Sequence, residues 1–177
     1  MTASLLLLLA VSLALSGGNG AWITVASVIA AGAAGLRLPD IDAPLGLDHR
    51  SALTHCILPL LIALLDRRTW PVAAGLGFGI GFHLAADLFP ASMRGYATIK
   101  LPLWGSIGVL PSYLWIAANA AANLTGGVLL LDRIATRRTA IVVLVAIAVL
   151  GAAYLLRTPG GWYAFVMLAG LGWLILR

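Results

Sequence analysis

The chain has 177 residues, of which 62% are hydrophobic and 10% charged, and its mean hydropathy of +1.03 lies outside the range of a water-soluble domain. Its net charge of +5 sits in short basic clusters between apolar runs, such as Arg67-Arg68 and Arg133 with Arg137-Arg138, a pattern that orients membrane helices and argues against nucleic acid as a partner. A lone cysteine, Cys56, excludes an intrachain disulfide and reads as a small packing residue.

Apolar runs predict helices over 3–16, 21–36, 51–65, 70–90, 106–131, 139–156 and 161–176. The expected fold is an all-α integral membrane protein, a polytopic bundle of about six to seven transmembrane helices in a single domain, 1–177. The first run, ending at Ser16-Gly17-Gly18, has the look of a signal-peptide core but lacks a basic n-region, so it is read as an uncleaved helix. The cluster Gly17-Gly18-Asn19-Gly20 then breaks the helix and turns the chain into a hairpin. Segments 36–50 and 91–105 are too polar and irregular to cross lipid and are expected to cap the helices at the interface. Between them, Gly75/Gly79 and Gly77/Gly81 form two interleaved small-xxx-small pairs, the mark of close helix approach.

The chain has no glutamate, and its polar chemistry is concentrated in the site-bearing part, about 36–105. Asp40, Asp42 and Asp48 share one segment, and His49, His55, His83 and Asp87 follow. Each span reverses the side of the membrane, so segment 36–50, the start of the third helix and the end of the fourth lie on the same side. His83 and Asp87 are spaced i, i+4 and face one way. Ionisable groups inside a span are costly unless paired, hydrated or metal-bound. The cluster therefore suits a divalent metal ion, Zn, Mn or Fe, although His83 and Asp87 alone could staple two helices. Arg50 is the natural cation for an anionic substrate group. Arg94 and Lys100 lie in the second loop of the same side and either add to that clamp as substrate-binding groups or snorkel to the interface. Trp104, Tyr96 and Tyr113 fit an aromatic belt.

The strings Leu38-Pro39-Asp40-Ile41-Asp42, His49-Arg50-Ser51-Ala52-Leu53-Thr54-His55 and His83-Leu84-Ala85-Ala86-Asp87 resemble the YdjM-like family of inner-membrane metal-dependent hydrolases, over about residues 36–105. The resemblance implies metal ligation by His49, His55, His83 and Asp87, with Asp40 and Asp42 as further ligands or as the water-activating base. Residues 106–177 carry no such motif and read as supporting helices. The Pro-Ser-Gly-His element of phosphatidic-acid-type phosphatases and the His-Glu-x-x-His element of site-2-type proteases are both absent.

The expected function is hydrolysis of an amphipathic phosphoester, a phospholipid or isoprenoid phosphate, by a metal-activated water, with Asp40, Asp42 and Arg50 in catalytic roles. Membrane lipids or a lipid-like substrate are the expected partners. The rival is a metal-ion or proton transporter using the same cluster. A transporter needs polar groups through both halves of the membrane, and the opposite half offers only Asn119, Asn123 and Thr125. Basic residues on the site side (Arg37, Arg50, Arg94, Lys100, Arg157) nearly balance those opposite (Arg67, Arg68, Arg133, Arg137, Arg138, Arg177). Setting Arg50 aside as a site residue tilts the opposite side toward the cytoplasm and the site toward the outer face of a prokaryotic inner membrane.

Overall fold

The computed structural model describes residues 2–16, 20–42 and 44–175. Among them are seven α-helices: α1 (Thr2–Leu15), α2 (Ala21–Gly35), α3 (Leu58–Ala63), α4 (Trp70–Asp87), α5 (Val109–Ile134), α6 (Arg137–Leu155) and α7 (Gly161–Ile175). The only strands described are β1 (Lys100–Leu101) and β2 (Gly105–Ser106), a small antiparallel hairpin. The predicted break at Gly17-Gly18-Asn19 and Arg177 lie outside the described residues.

Helix α4 is the centre of the molecule, packed most extensively on α5 and α2. Its glycines explain how. A Cβ on Gly75 would meet Val28 O and Gly32 N, and one on Gly79 would meet the Gly32 and Gly35 backbone, so this pair lies directly on α2. The other pair faces α5, where a Cβ on Gly77 would come within 2.6 Å of Asn123 O and one on Gly81 within 2.6 Å of Leu124 Cγ. Two interleaved glycine faces thus let one helix touch two neighbours backbone to backbone. The turn into α4 is closed locally: Asp66 accepts from Arg68 N at 2.9 Å, Thr69 Oγ1 donates to Ala63 O at 2.6 Å, and Pro71 sits in the first turn of the helix, where its missing N–H costs nothing. Helix α4 stops at Asp87, three residues short of the predicted end, because Pro90 disfavours helical backbone just before it.

The third element differs most from expectation. A helix over 51–65 is predicted, but α3 covers only Leu58–Ala63. Residues 51–57 instead make one local turn, in which Thr54 N and His55 N donate to Ser51 O, and otherwise draw on distant partners: Ala52 N donates to Lys100 O at 2.9 Å, Ile57 N to Asn119 Oδ1 at 3.0 Å, and His55 O accepts from Trp115 Nε1 at 2.9 Å. The contacts to Trp115 and Asn119 tie this run to α5, and the one to Lys100 ties it to segment 91–105. Lys100 N also donates to Arg50 O at 3.1 Å, and Ser51 pairs with Lys100 as a bridge. Ser106, the predicted start of the fifth helix, belongs instead to the hairpin, and α5 begins at Val109.

By length and composition, α5 and α6 are long and apolar enough to cross a membrane, while α1, α2 and α7 are shorter apolar helices. The outer faces of α5 and α6 present Leu110, Leu114, Leu129, Val142, Val145 and Val149, each more than half exposed.

Candidate metal centre

Helix α4 delivers His83 and Asp87 one turn apart, and the irregular segment before α3 delivers His55 against them. His55 Nε2 lies 3.4 Å and His83 Nε2 3.5 Å from the same Asp87 oxygen, Oδ2. All three atoms fall within 4.8 Å of one another, so the trio could hold a metal ion. A tetrahedral ion with bonds of about 2.1 Å separates its donors by about 3.4 Å, close to the two distances from the imidazole nitrogens to Asp87 Oδ2.

Tautomers decide what those atoms offer. His83 Nδ1 is 3.0 Å from Leu36 O. A carbonyl can only accept, so Nδ1 carries a proton, which in the neutral ring leaves the lone pair on Nε2. Thr54 Oγ1 lies 3.0 Å from His55 Nδ1 and donates its own proton to Ser51 O at 3.1 Å. It is therefore an acceptor for His55 Nδ1–H, and His55 Nε2 also carries a lone pair. With both rings neutral, two imidazole lone pairs and a carboxylate oxygen converge on one point. Among the described residues, His55 Nε2 and Asp87 Oδ2 are buried without a hydrogen-bond partner. Such a group is costly in a dry interior and is what a cation satisfies. Outer partners that lock a histidine by its far nitrogen are the usual support of a metal ligand.

The other Asp87 oxygen is held by Arg50. Its Nη2 donates to Asp87 Oδ1 and its Nη1 to Ala97 O, both at 2.6 Å, and Nη1 also lies 3.8 Å from Met93 Sδ. The backbone N–H of Arg50 donates to Asp42 Oδ2 at 2.6 Å. Arg50 has φ of 57°, a left-handed conformation uncommon for a non-glycine residue, and these bonds are what hold it there. With the residue only 7% exposed, the guanidinium faces inward and neutralises Asp87.

The remaining predicted residues surround this core. Asp40 lies 3.8 Å from His83 Nε2 through Oδ1, and its side chain is 57% exposed, the open side of the cluster. Asp42 is buried and bonds to the Arg50 backbone rather than facing the trio. His49, implied as a ligand by the resemblance, is not among the three converging residues. It lies 3.8 Å from Asp42 and stacks on Tyr96 with ring centroids 4.0 Å apart. Burial lowers its pKa below the ordinary histidine value, against the opposing pull of Asp42. Lys100 Nζ donates to Tyr96 O at 2.6 Å and lies over the same ring, and burial lowers its pKa as well. Arg94 is exposed ahead of the short turn Gly95–Ala97.

The motifs assign no role to three further contributors, although Thr54 stands within one of them. Thr54 and the Leu36 carbonyl set the tautomers, and Tyr154 of α6 places its hydroxyl 2.9 Å from His83 Nδ1. Past its first turn, Arg137-Arg138-Thr139, α6 is apolar but for a single tyrosine, the one mark that could have pointed to it. No protein-family model, curated protein or solved structure matches this chain, so its functional reading rests on the geometry of this centre.

Proposed function

We propose that the protein is a polytopic membrane hydrolase that uses a divalent ion, Zn, Mn or Fe, to cleave an amphipathic phosphoester at one face of the bilayer. The observation that carries this reading is the convergence of His55 Nε2, His83 Nε2 and Asp87 Oδ2, with His55 Nε2 and Asp87 Oδ2 buried and otherwise unpartnered. An ion bound there supplies Lewis acidity and a water of lowered pKa. The chain supplies the rest. Arg50 fixes Asp87 so that Oδ2 faces the histidines. Asp40, exposed beside His83, is the carboxylate with room to take a proton from an incoming water. The motif resemblance to the YdjM-like family supports hydrolysis, and the lipid setting of the site supports an amphipathic substrate.

The membrane reading is supported by apolar side chains on the outer faces of α5 and α6, which water would not tolerate over so large an area. Bundling lets the shorter helices complete the crossing by tilting the assembly or thinning the bilayer. Once Arg50 is set aside as a site residue, the small excess of basic residues on the far side supports a centre on the outer face of a prokaryotic inner membrane. In a Cys56→Ser background, cysteines at the exposed positions Leu45 and Tyr96 should label from one side of the membrane and a cysteine at Leu65 from the other. Labelling of Leu45→Cys and Tyr96→Cys from opposite sides contradicts the topology. For the activity, purified protein loaded with each metal should hydrolyse a panel of lipid phosphoesters and lose turnover on chelation. Turnover that survives stoichiometric removal of the ion rules out the hydrolase reading.

A further inference from the structure

A cavity of about 520 Å³ opens between α1, α2 and α6, away from the metal-facing nitrogens of the histidines. Leu6, Ala33, Leu150 and Ala153 line it as apolar walls, while Arg37, Arg157 and Thr158 border it at one end. The polarity is graded along the helices: Leu150 and Arg157 are seven positions apart, about 10 Å on a helical rise. Arg37 and Arg157 stand just past the C-terminal ends of α2 and α6, and the described residues that line the cavity include no acid. An apolar trough ending in two guanidiniums matches a molecule with an alkyl chain and an anionic head. Guanidinium prefers phosphate because its planar fork pairs with two oxygens at once.

We propose that this cleft is a binding site for an anionic phospholipid, one acyl chain lying between α1, α2 and α6 and the headgroup phosphate held by Arg37 and Arg157. The site goes beyond the hydrolase reading and rests only on its membrane part, which the cysteine labelling tests separately. It also touches the metal centre from behind. Two lining residues, Leu36 and Tyr154, are the partners of His83 Nδ1, at 3.0 and 2.9 Å. A lipid that orders Tyr154 therefore orders His83, and by thermodynamic reciprocity a bound ion favours the lipid.

The test is binding of phosphatidic acid, phosphatidylcholine of the same chains, and inorganic phosphate to the full chain in a non-ionic detergent, read by native mass spectrometry. Phosphatidic acid should bind at least tenfold more tightly than phosphatidylcholine, with inorganic phosphate failing to displace it. Arg157→Gln, a change at an exposed side chain, should weaken phosphatidic acid about tenfold, a loss of about 1.4 kcal/mol. Ala153→Trp, which fills the trough, should abolish binding of both lipids. Metal stoichiometry is measured on the same samples, so loss of the ion with lipid binding intact counts against the hydrolase reading alone. Equal affinity for the two lipids, displacement by inorganic phosphate, or unchanged binding in Arg157→Gln overturns the lipid site. Should Ala153→Trp not fold, a diazirine-bearing phosphatidic acid on the wild type takes its place. Crosslinks to Leu150, Ala153 or Leu6 support the site, and crosslinks confined to other helices overturn it.

Discussion

Helices α4 and α7 look alike as sequence, both apolar and both bearing glycines, yet they occupy opposite roles. A Cβ added to Gly75 or Gly79 of α4 would enter the backbone of α2, whereas one added to Gly170 or Gly172 of α7 would meet nothing within 4 Å. The same contrast holds for chemistry. Helix α4 carries His83 and Asp87 into the interior, and α7 has no ionisable side chain other than Tyr163 on its exposed surface. What separates the two is the spacing of small and ionisable residues, because that spacing determines what a helix can approach, while hydropathy records only that it avoids water.

The largest expected effect tests that contrast. Gly79→Leu should cost about 3 kcal/mol or more, since backbone atoms of α2 cannot move aside as a side chain can, and little folded protein should be recovered from detergent. Gly172→Leu should leave the thermal midpoint unchanged. Equal tolerance at the two positions would break the comparison.

A second pair sharpens it with charge. Arg50→Ala should cost about 3 kcal/mol, because it leaves the Asp87 carboxylate without its cation and frees a backbone held at φ of 57°. Arg133→Ala, on an exposed helix end, should stay within about 0.5 kcal/mol. Thermal unfolding of both variants in the same detergent decides it.

Tyr154→Phe should act through metal affinity rather than stability. Leu36 O still holds His83 Nδ1, so the variant should fold normally and bind the ion about tenfold more weakly, the low end for loss of an outer partner. Competition against a metallochromic chelator measures this. Unaltered affinity would remove α6 from the centre. Smallest is Thr136→Ala at the start of α6, where loss of the cap to Thr139 N should cost about 1 kcal/mol and leave metal binding intact.

These outcomes bear on what local sequence can reveal. The His83/Asp87 face and the two glycine faces follow from helical periodicity, and all three are found as spaced. The irregular run at 51–57 could not be foreseen, because its backbone draws on Lys100, Trp115 and Asn119, residues brought to it only by the fold. The convergence of His55 on Asp87 was legible as a same-side argument, but the separation of His49 from the trio was not: a stacking contact with Tyr96 across the two loops draws its ring aside. Arg50 was legible as a cation. Its inward direction depends on a left-handed backbone that its residue type does not announce. The Leu36 carbonyl leaves no trace in a sequence, since every residue has one.

The central claim is that His55, His83 and Asp87 are a metal site and not a histidine–aspartate staple. The most direct measurement is metal stoichiometry, with thermal stability, for the wild type, His83→Ala, Asp87→Asn and the double change His83→Leu/Asp87→Leu after loading with Zn, Mn or Fe. The account predicts a stoichiometric ion in the wild type and none in any variant, with the ion raising the wild-type thermal midpoint. A staple predicts instead no ion in the wild type, a strong loss of stability in His83→Ala and recovery in the double variant. A wild type that takes up no ion under any loading, or a His83→Ala protein that keeps it in full, contradicts the account.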